Sequence, residues 1–268
     1  MNQDPQLELP PKLEPYRAKI VATLQPYIRI KLTNNDRPTP WQSKFGGLPY
    51  LPQGADYPTN SKGNYLYLLA QINFAEVPNL KDFPNQGILQ FFIAADEEFY
   101  EADFDRPTQQ NDFRVVYFTD IISDAENLVI DFSFLPKLDD DCLMPFVGCC
   151  ALDFTLAQSP ITISDYQFKL FDSESETKPN YELWDLYQES LSLSGHKIGG
   201  YPNFTQQDPR TYQPLKNQDY ILLLQVDSEG NEQIDIMWGD VGIGNFFIPR
   251  SMLQELDFSQ VLYNWDCG

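Results

Sequence analysis

Histidine occurs once in this chain and cysteine four times. Lysine and arginine together number 18, against 39 aspartates and glutamates. Each shortage excludes something. With a single histidine, any Ser–His–Asp or Cys–His machinery has to run through His196, and no GxSxG-type nucleophile turn accompanies it. Cys142, Cys149, Cys150 and Cys267 lack the spacing that lets metal ligands converge. The adjacent pair lies in the apolar stretch MPFVGCCAL, where small buried thiols are expected. The expectation is therefore no metal and no cofactor. The formal net charge of -21 argues against nucleic acid and against an anionic membrane surface, and it admits a basic protein or peptide as partner through electrostatic steering. Apolar runs such as ILQFFIAA at 88–95 fall far short of a membrane span. The start, MNQDPQLELPPKLEPY, is acidic and proline-rich where a secretory leader is basic and then apolar, so a cytoplasmic protein is expected.

What the chain does have is apolar and aromatic residues, 42% and 14% of its 268 positions. That is ample for a packed core. It also repeats itself. KFGGLP at 44–49 returns as KIGGYP at 197–202, and Leu69-Ala70-Gln71-Ile72-Asn73 as Leu223-Leu224-Gln225-Val226-Asp227. FPNQGILQFFI at 83–93 aligns without a gap with WGDVGIGNFFI at 238–248, and DFRVVYFTD at 112–120 resembles DFSQVLYNWD at 257–266. Four blocks in the same order point to an internal duplication, with copies near 44–120 and 197–266. Two copies are too few for a solenoid and suit two halves sharing a core.

Hydrophobic spacing predicts a helix over 12–25, ended by Pro26, and another over 179–192 with Leu183, Trp184, Tyr187 and Leu191 on one face and Gly195 as terminator. Strands are predicted at 66–72, 88–94, 114–119, 220–227, 233–238, 243–248 and 261–265, with SEGN at 228–231 as the turn between two of them. Asn85 and Asp240 are read as equivalent turns before the two FFI strands. Residues 96–111 read as an inserted acidic loop, and 121–178 as a β-rich connection. The expected fold is a β-rich α+β architecture, internally duplicated. Its two related halves have mainly antiparallel sheets and one amphipathic helix upstream of each Gly-Gly corner.

The glycine pairs Gly46–Gly47 and Gly199–Gly200 read as conformational corners. Neither opens a helix after a phosphate-binding loop pattern, so a phosphate cradle is not expected. Lys44 and Lys197 precede the pairs, placed to meet a ligand carboxylate or one of the many acids. Gln71 and Gln225 are polar residues inside apolar strands at matching places. They either bond to the glycine-pair turn or contact a bound peptide backbone. His196 stands where the first copy has Ser43 and reads either as a functional departure or as a side chain bonded to a nearby carbonyl. Asp240, in MWGDVGIG, reads as a turn residue in tight apolar surroundings. Asp139-Asp140-Asp141 reads as a solvated acidic turn without EF-hand spacing.

Together, KFGGLPYLP, LLAQINF, GILQFFI, HKIGGYP, LLLQVDS and the terminal DFSQVLYNWDC resemble the YwqG-like bacterial proteins, a family of unknown function, from about residue 20 to the end. The resemblance implies one duplicated, β-rich α+β domain over 1–268. The family is distantly similar to programmed cell death protein two and its relatives, which chaperone a basic ribosomal protein. Some YwqG-like proteins are thought to act as immunity proteins against toxins. This chain lacks the zinc-binding cysteine pattern of the eukaryotic relatives, and the family offers no catalytic residue to carry over.

The expectation is thus a protein-binding module, chaperone-like or toxin-immunity-like, for a basic polypeptide. Its surface would lie near Lys44, Gly46, Gly47, Gln71, His196, Lys197, Gly199, Gly200, Gln225 and Asp240, with Trp41, Tyr50, Tyr201 and Trp238 flanking the corners. The alternative is a small-molecule-binding protein or enzyme using a cleft between the halves, with His196 and Asp240 in it. A third reading is a structural module that self-associates through an exposed edge.

Overall fold

The computed structural model describes residues 7–95, 103, 105–138, 144–171, 181–191, 194–212, 215–216 and 218–268. Cys142, the Asp139–Asp141 run and half of the inserted loop at 96–111 (96–102 and 104) lie outside the described residues. Among the described residues, ten strands form: β1 (Gln25–Leu32), β2 (Lys44–Gly46), β3 (Tyr67–Asn73), β4 (Ile88–Ile93), β5 (Phe113–Phe118), β6 (Cys149–Ser159), β7 (Lys197–Gly199), β8 (Tyr220–Asp227), β9 (Ile243–Pro249) and β10 (Leu262–Asp266). They make one sheet in the order β10-β9-β8-β7-β1-β6-β2-β3-β4-β5. Every neighbouring pair is antiparallel. Read outward from the central β1–β6 pair, each wing is a four-strand meander. One runs β2 to β5, the other β7 to β10.

The apolar run ILQFFI shows why a strand of this kind is buried throughout. Successive side chains point to opposite faces. Leu89, Phe91 and Ile93 enter the main core with Phe45, Leu69 and Ile72, and on the other face Phe92 packs with Leu66, Leu68 and Tyr57. In the second wing, Phe246 and Ile248 join the same main core, while Phe247 packs outward with Leu222 and Leu262. The Phe91 and Phe246 rings meet at 4.9 Å, so the two wings share one interior. The outer strands also return toward each other. The Phe113 and Tyr263 rings lie 5.4 Å apart, and the Tyr263 N–H donates to the Pro107 carbonyl at 2.9 Å. The sheet is therefore a nearly closed barrel, which leaves little exposed edge.

Three short helices accompany it among the described residues: α1 (Arg17–Val21), α2 (Tyr181–Leu191) and α3 (Arg250–Gln254). The apolar stripe of α2 is real. Tyr187 and Leu191 are buried, and Leu183 and Trp184 pack against the same cluster as Leu13 and Ile20. None of these helices is long and apolar enough to cross a membrane.

The structure departs from the sequence reading at four places. The first helix is only a 3-10 turn, Glu14–Tyr16, followed by five α residues. Pro26 does not end it and lies instead near the start of β1, beyond the end of β7, which pairs only with Tyr27, Ile28 and Arg29. There its missing N–H costs no bond to that neighbour. Residues 233–238 are not a strand. Ile234, Ile236 and Trp238 are buried in alternation with exposed neighbours, but the backbone joins no ladder, and Met237 N–H donates to the Pro145 carbonyl. Alternation here reports an extended segment laid on the core. The β8 strand pairs with β9 instead, so SEGN closes no hairpin. Within 121–178, the supposed connection supplies β6, one of the two central strands.

Candidate functional site

The glycine corners are built alike. Gly46 and Gly47 have φ of +64° and +69°, Gly199 and Gly200 +70° and +69°. Two successive left-handed residues call for glycine, and space forbids a side chain as well. A Cβ on Gly46 falls 2.2 Å from the Gly148 carbonyl oxygen, and one on Gly200 falls 2.8 Å from Tyr27 Cβ.

Beneath each corner a buried amide ties the loop to the sheet. Gln71 Oε1 accepts the Tyr50 N–H at 2.7 Å, and its Nε2 donates to the Pro40 and Gln42 carbonyls, both at 2.8 Å. Gln225 Oε1 accepts the Asn203 N–H at 2.8 Å, and its Nε2 donates to the Gly195 carbonyl at 2.8 Å. One strand further out, Gln90 donates to the Tyr50 carbonyl at 2.7 Å and Asn245 to the Asn203 carbonyl at 2.9 Å. Of the two roles open to the glutamines, the geometry is that of bonds to the glycine-pair loop.

His196 repeats what Ser43 does. Ser43 Oγ accepts the Asn73 N–H at 2.8 Å, and His196 Nδ1 accepts the Asp227 N–H at 3.0 Å. The imidazole proton is therefore on Nε2, which donates to the Glu229 carbonyl at 2.9 Å. Burial pushes the His196 pKa below its ordinary value, and the Phe45 ring sits edge-on to it at 5.0 Å. Both nitrogens are spent inside the fold, so the ring has no free group for acid–base work.

Lys44 and Lys197 also turn inward. Lys44 Nζ donates to the Thr39 and Pro40 carbonyls at 3.2 and 3.4 Å. Lys197 Nζ donates to Asn203 Oδ1 at 2.5 Å and to the Tyr201 carbonyl at 3.2 Å. Burial pushes Lys44 down to about 8 and Lys197 down to about 7. Asp240 is apart from all of these. It is exposed in the turn before β9, its carbonyl accepting the Gly268 N–H. The cavity that takes in His196, about 550 Å³ and lined by Arg29, Gly195, Glu229 and Asn231 among others, does not include Asp240. Of the flanking aromatics, Tyr50, Tyr201 and Trp238 are buried. Trp41 is half-buried and donates to the Ile122 carbonyl at 2.7 Å.

The corners differ in the space beside them. Gly46 and Gly47 line a cavity of about 450 Å³ with Tyr57, Phe132, Phe146 and Leu135. At its rim Leu48 is 51% exposed, Val147 62% and Phe134 41%, and Ile130, on the adjoining segment, is 84% exposed. Phe134 meets Tyr57 at 5.5 Å and Tyr65 at 5.2 Å. The segment that brings these residues, 120–138, is held by Gln53 N–H to the Asn127 carbonyl and Val129 N–H to the Leu51 carbonyl. It exposes Asp120, Asp124, Glu126 and Asp131, and no lysine or arginine occurs between Arg114 and Lys137.

Gly199 and Gly200 line a charged cavity of about 310 Å³ between the wings, closed from the first wing by Leu80 and Phe83. Its floor is Arg210, held between the Tyr166 and Phe247 rings at 4.9 Å each. Arg210 bonds to Asp208 at 2.6 Å and to Asp165 at 2.8 Å. At the mouth, Arg250 pairs with Asp82 and Asp219 at 2.5 and 2.8 Å. Sequence reasoning missed both features. The acidic segment was findable as a cation-free run studded with apolar residues. The Arg210 cluster is half local: Asp208 stands two residues before Arg210, but Asp165 lies 45 residues away and left no signal.

A family model described as a domain of unknown function (DUF1963) matches residues 43–267. No curated protein matches the chain. The chain belongs to the DUF1963 family.

Proposed function

We propose that this DUF1963 member is a YwqG-like cytoplasmic binding module that takes up a basic polypeptide on the rim of its first glycine corner. The observation that carries the reading is the rim itself. Leu48, Phe134, Val147 and Ile130 are exposed, and the segment bearing two of them displays four acids against a single cation, Lys137 near its end. Exposed apolar side chains in this density mark a contact surface, and the acids select a lysine- or arginine-rich partner and speed its arrival. The net charge of -21 extends the same field over the whole molecule.

Two further expectations belong to this reading. The chain is one domain made of two copies, about 44–120 and 197–266, supported by matched bonds at Gln71 and Gln225, Gln90 and Asn245, Ser43 and His196. The free thiols of Cys149, Cys150 and Cys267 suit a reducing compartment.

The test uses a labelled amphipathic peptide of alternating leucine and lysine, followed by fluorescence anisotropy. Saturable binding is expected, weakening by about tenfold as salt rises to several hundred millimolar and by a similar factor on reversing Asp124, Glu126 and Asp131 together. Phe134→Ala weakens it without changing the salt dependence. Binding that ignores both salt and Phe134→Ala, or that favours a glutamate-for-lysine control peptide, overturns the proposal.

A further inference from the structure

We infer that the charged cavity at the second glycine corner is a site for a small carboxylate-bearing molecule, separate from the polypeptide surface. The argument rests on donors left over at one place. The Gly200 N–H has no acceptor among the described residues, whereas its counterpart Gly47 donates to the Gly148 carbonyl at 3.1 Å. Arg210 spends Nε and both Nη2 protons on Asp208 and Asp165 and one Nη1 proton on the Tyr220 carbonyl, which leaves one N–H on Nη1. Arg250 spends Nε on Asp219 and one Nη1 proton on Asp82, which leaves its Nη2 amino group and the second Nη1 proton. All three residues line the same cavity, as does Lys81.

The cavity also carries acids, Asp82, Asp165 and Asp219, so its lining is close to neutral. Those carboxylates already accept bonds from the two arginines. They hold the guanidinium groups in place, with the remaining N–H groups of Arg210, Arg250 and Gly200 still unspent. Guanidinium N–H groups bind planar carboxylates with charge-assisted hydrogen bonds. A volume of about 310 Å³ suits a metabolite and excludes a folded partner. The position matters too. Leu80 and Phe83 reach the corner from the other wing, and a Cβ on Gly199 meets Leu80 at 2.7 Å, so a ligand here touches both wings at once.

The test follows the backbone amides of Gly200 and Tyr201 by heteronuclear NMR while acetate, succinate or the uncharged acetamide is added to the full chain. Saturable shifts of both amides with the two carboxylates and none with acetamide are expected. Arg250→Gln, at a half-exposed position, weakens the response by about tenfold, and Lys81→Gln, which breaks no ion pair, weakens it less. Silence of both amides at tens of millimolar of either carboxylate, equal shifts with acetamide, or an unchanged response in both variants overturns the site.

Discussion

The two glycine corners share a skeleton and differ in their surroundings. In each, paired glycines near φ +65–70° follow a buried lysine, and a buried glutamine makes matching bonds, whereas Lys44 turns back to the Thr39 and Pro40 carbonyls and Lys197 forward to Tyr201 and Asn203. Yet the first opens on aromatic and aliphatic side chains, and the second on arginines and aspartates. What is repeated is what the backbone needs. The loop flanking each glycine pair buries N–H and carbonyl groups that must be satisfied, and an amide with a donor and an acceptor at one tip does that in both places, at Tyr50, Pro40 and Gln42 and at Asn203 and Gly195. What differs is where the lysines turn, whether the second glycine's N–H meets an acceptor, and which side chains line the space beside the corner.

The comparison can be broken by mutation, beginning with the shared core. Phe91→Ala and Phe246→Ala each remove a buried ring from the same tilted pair, and urea unfolding is expected to show a loss of about 3–5 kcal/mol for either. Markedly unequal losses mean that the wings are not mechanically equivalent. Gln71→Leu and Gln225→Leu each strand a buried N–H and are expected to cost about 1–3 kcal/mol. If only one does, the networks match in geometry alone. Gly46→Ala and Gly199→Ala pay the same left-handed strain, about 1–2 kcal/mol. Gly46→Ala should cost more, because its methyl meets a carbonyl oxygen while that of Gly199→Ala meets a flexible leucine tip.

Proton linkage separates the halves more finely. Lys44 and Lys197 have folded pKa values of about 8 and about 7, below the ordinary value near 10.5. Between those limits the unfolded chain holds more protons, so stability rises with pH by at most about 1.4 kcal/mol per unit for each lysine. Lys197→Met should remove the part of that rise that begins near pH 7, and Lys44→Met the part that begins near pH 8. The smallest effect is at His196. Its pKa is lowered, so its contribution is intact above the unfolded value near 6.5 and is lost as pH falls below it. His196→Asn should flatten thermal stability between pH 6.5 and 5, and the same substitution at Ser43 should not.

Much of this was legible in the residues. The long apolar strands announced themselves through aromatic and β-branched runs, and the glycine pairs and their glutamines through recurrence. The central strands did not. The three-residue strands β2 and β7 are too short to show a period, and QPYIRIKL was obscured by the helical stripe just before it and by the proline at its second position. Residues 233–238 misled in the other direction, since burial alternates along any extended segment whether or not it pairs. At the candidate sites, the glutamines could be placed by matching copies. Asp208 and Arg210 meet within one turn, but Asp165 reaches Arg210 across 45 residues, a long-range fact with no local pattern.

The central pair has a consequence for how the molecule is made. Ile28, near the beginning, is flanked by Leu156 on one side and Ile198 on the other. As the chain leaves the ribosome, β1 emerges first and has no neighbour, and β2 to β5 can form their meander with β2 still an open border. Only after β6 and then β7 have been synthesised can the earliest strand dock. Closing loops of that length is slow compared with making hairpins, so the final, rate-setting event in folding is expected to be the insertion of the first strand between the two wings.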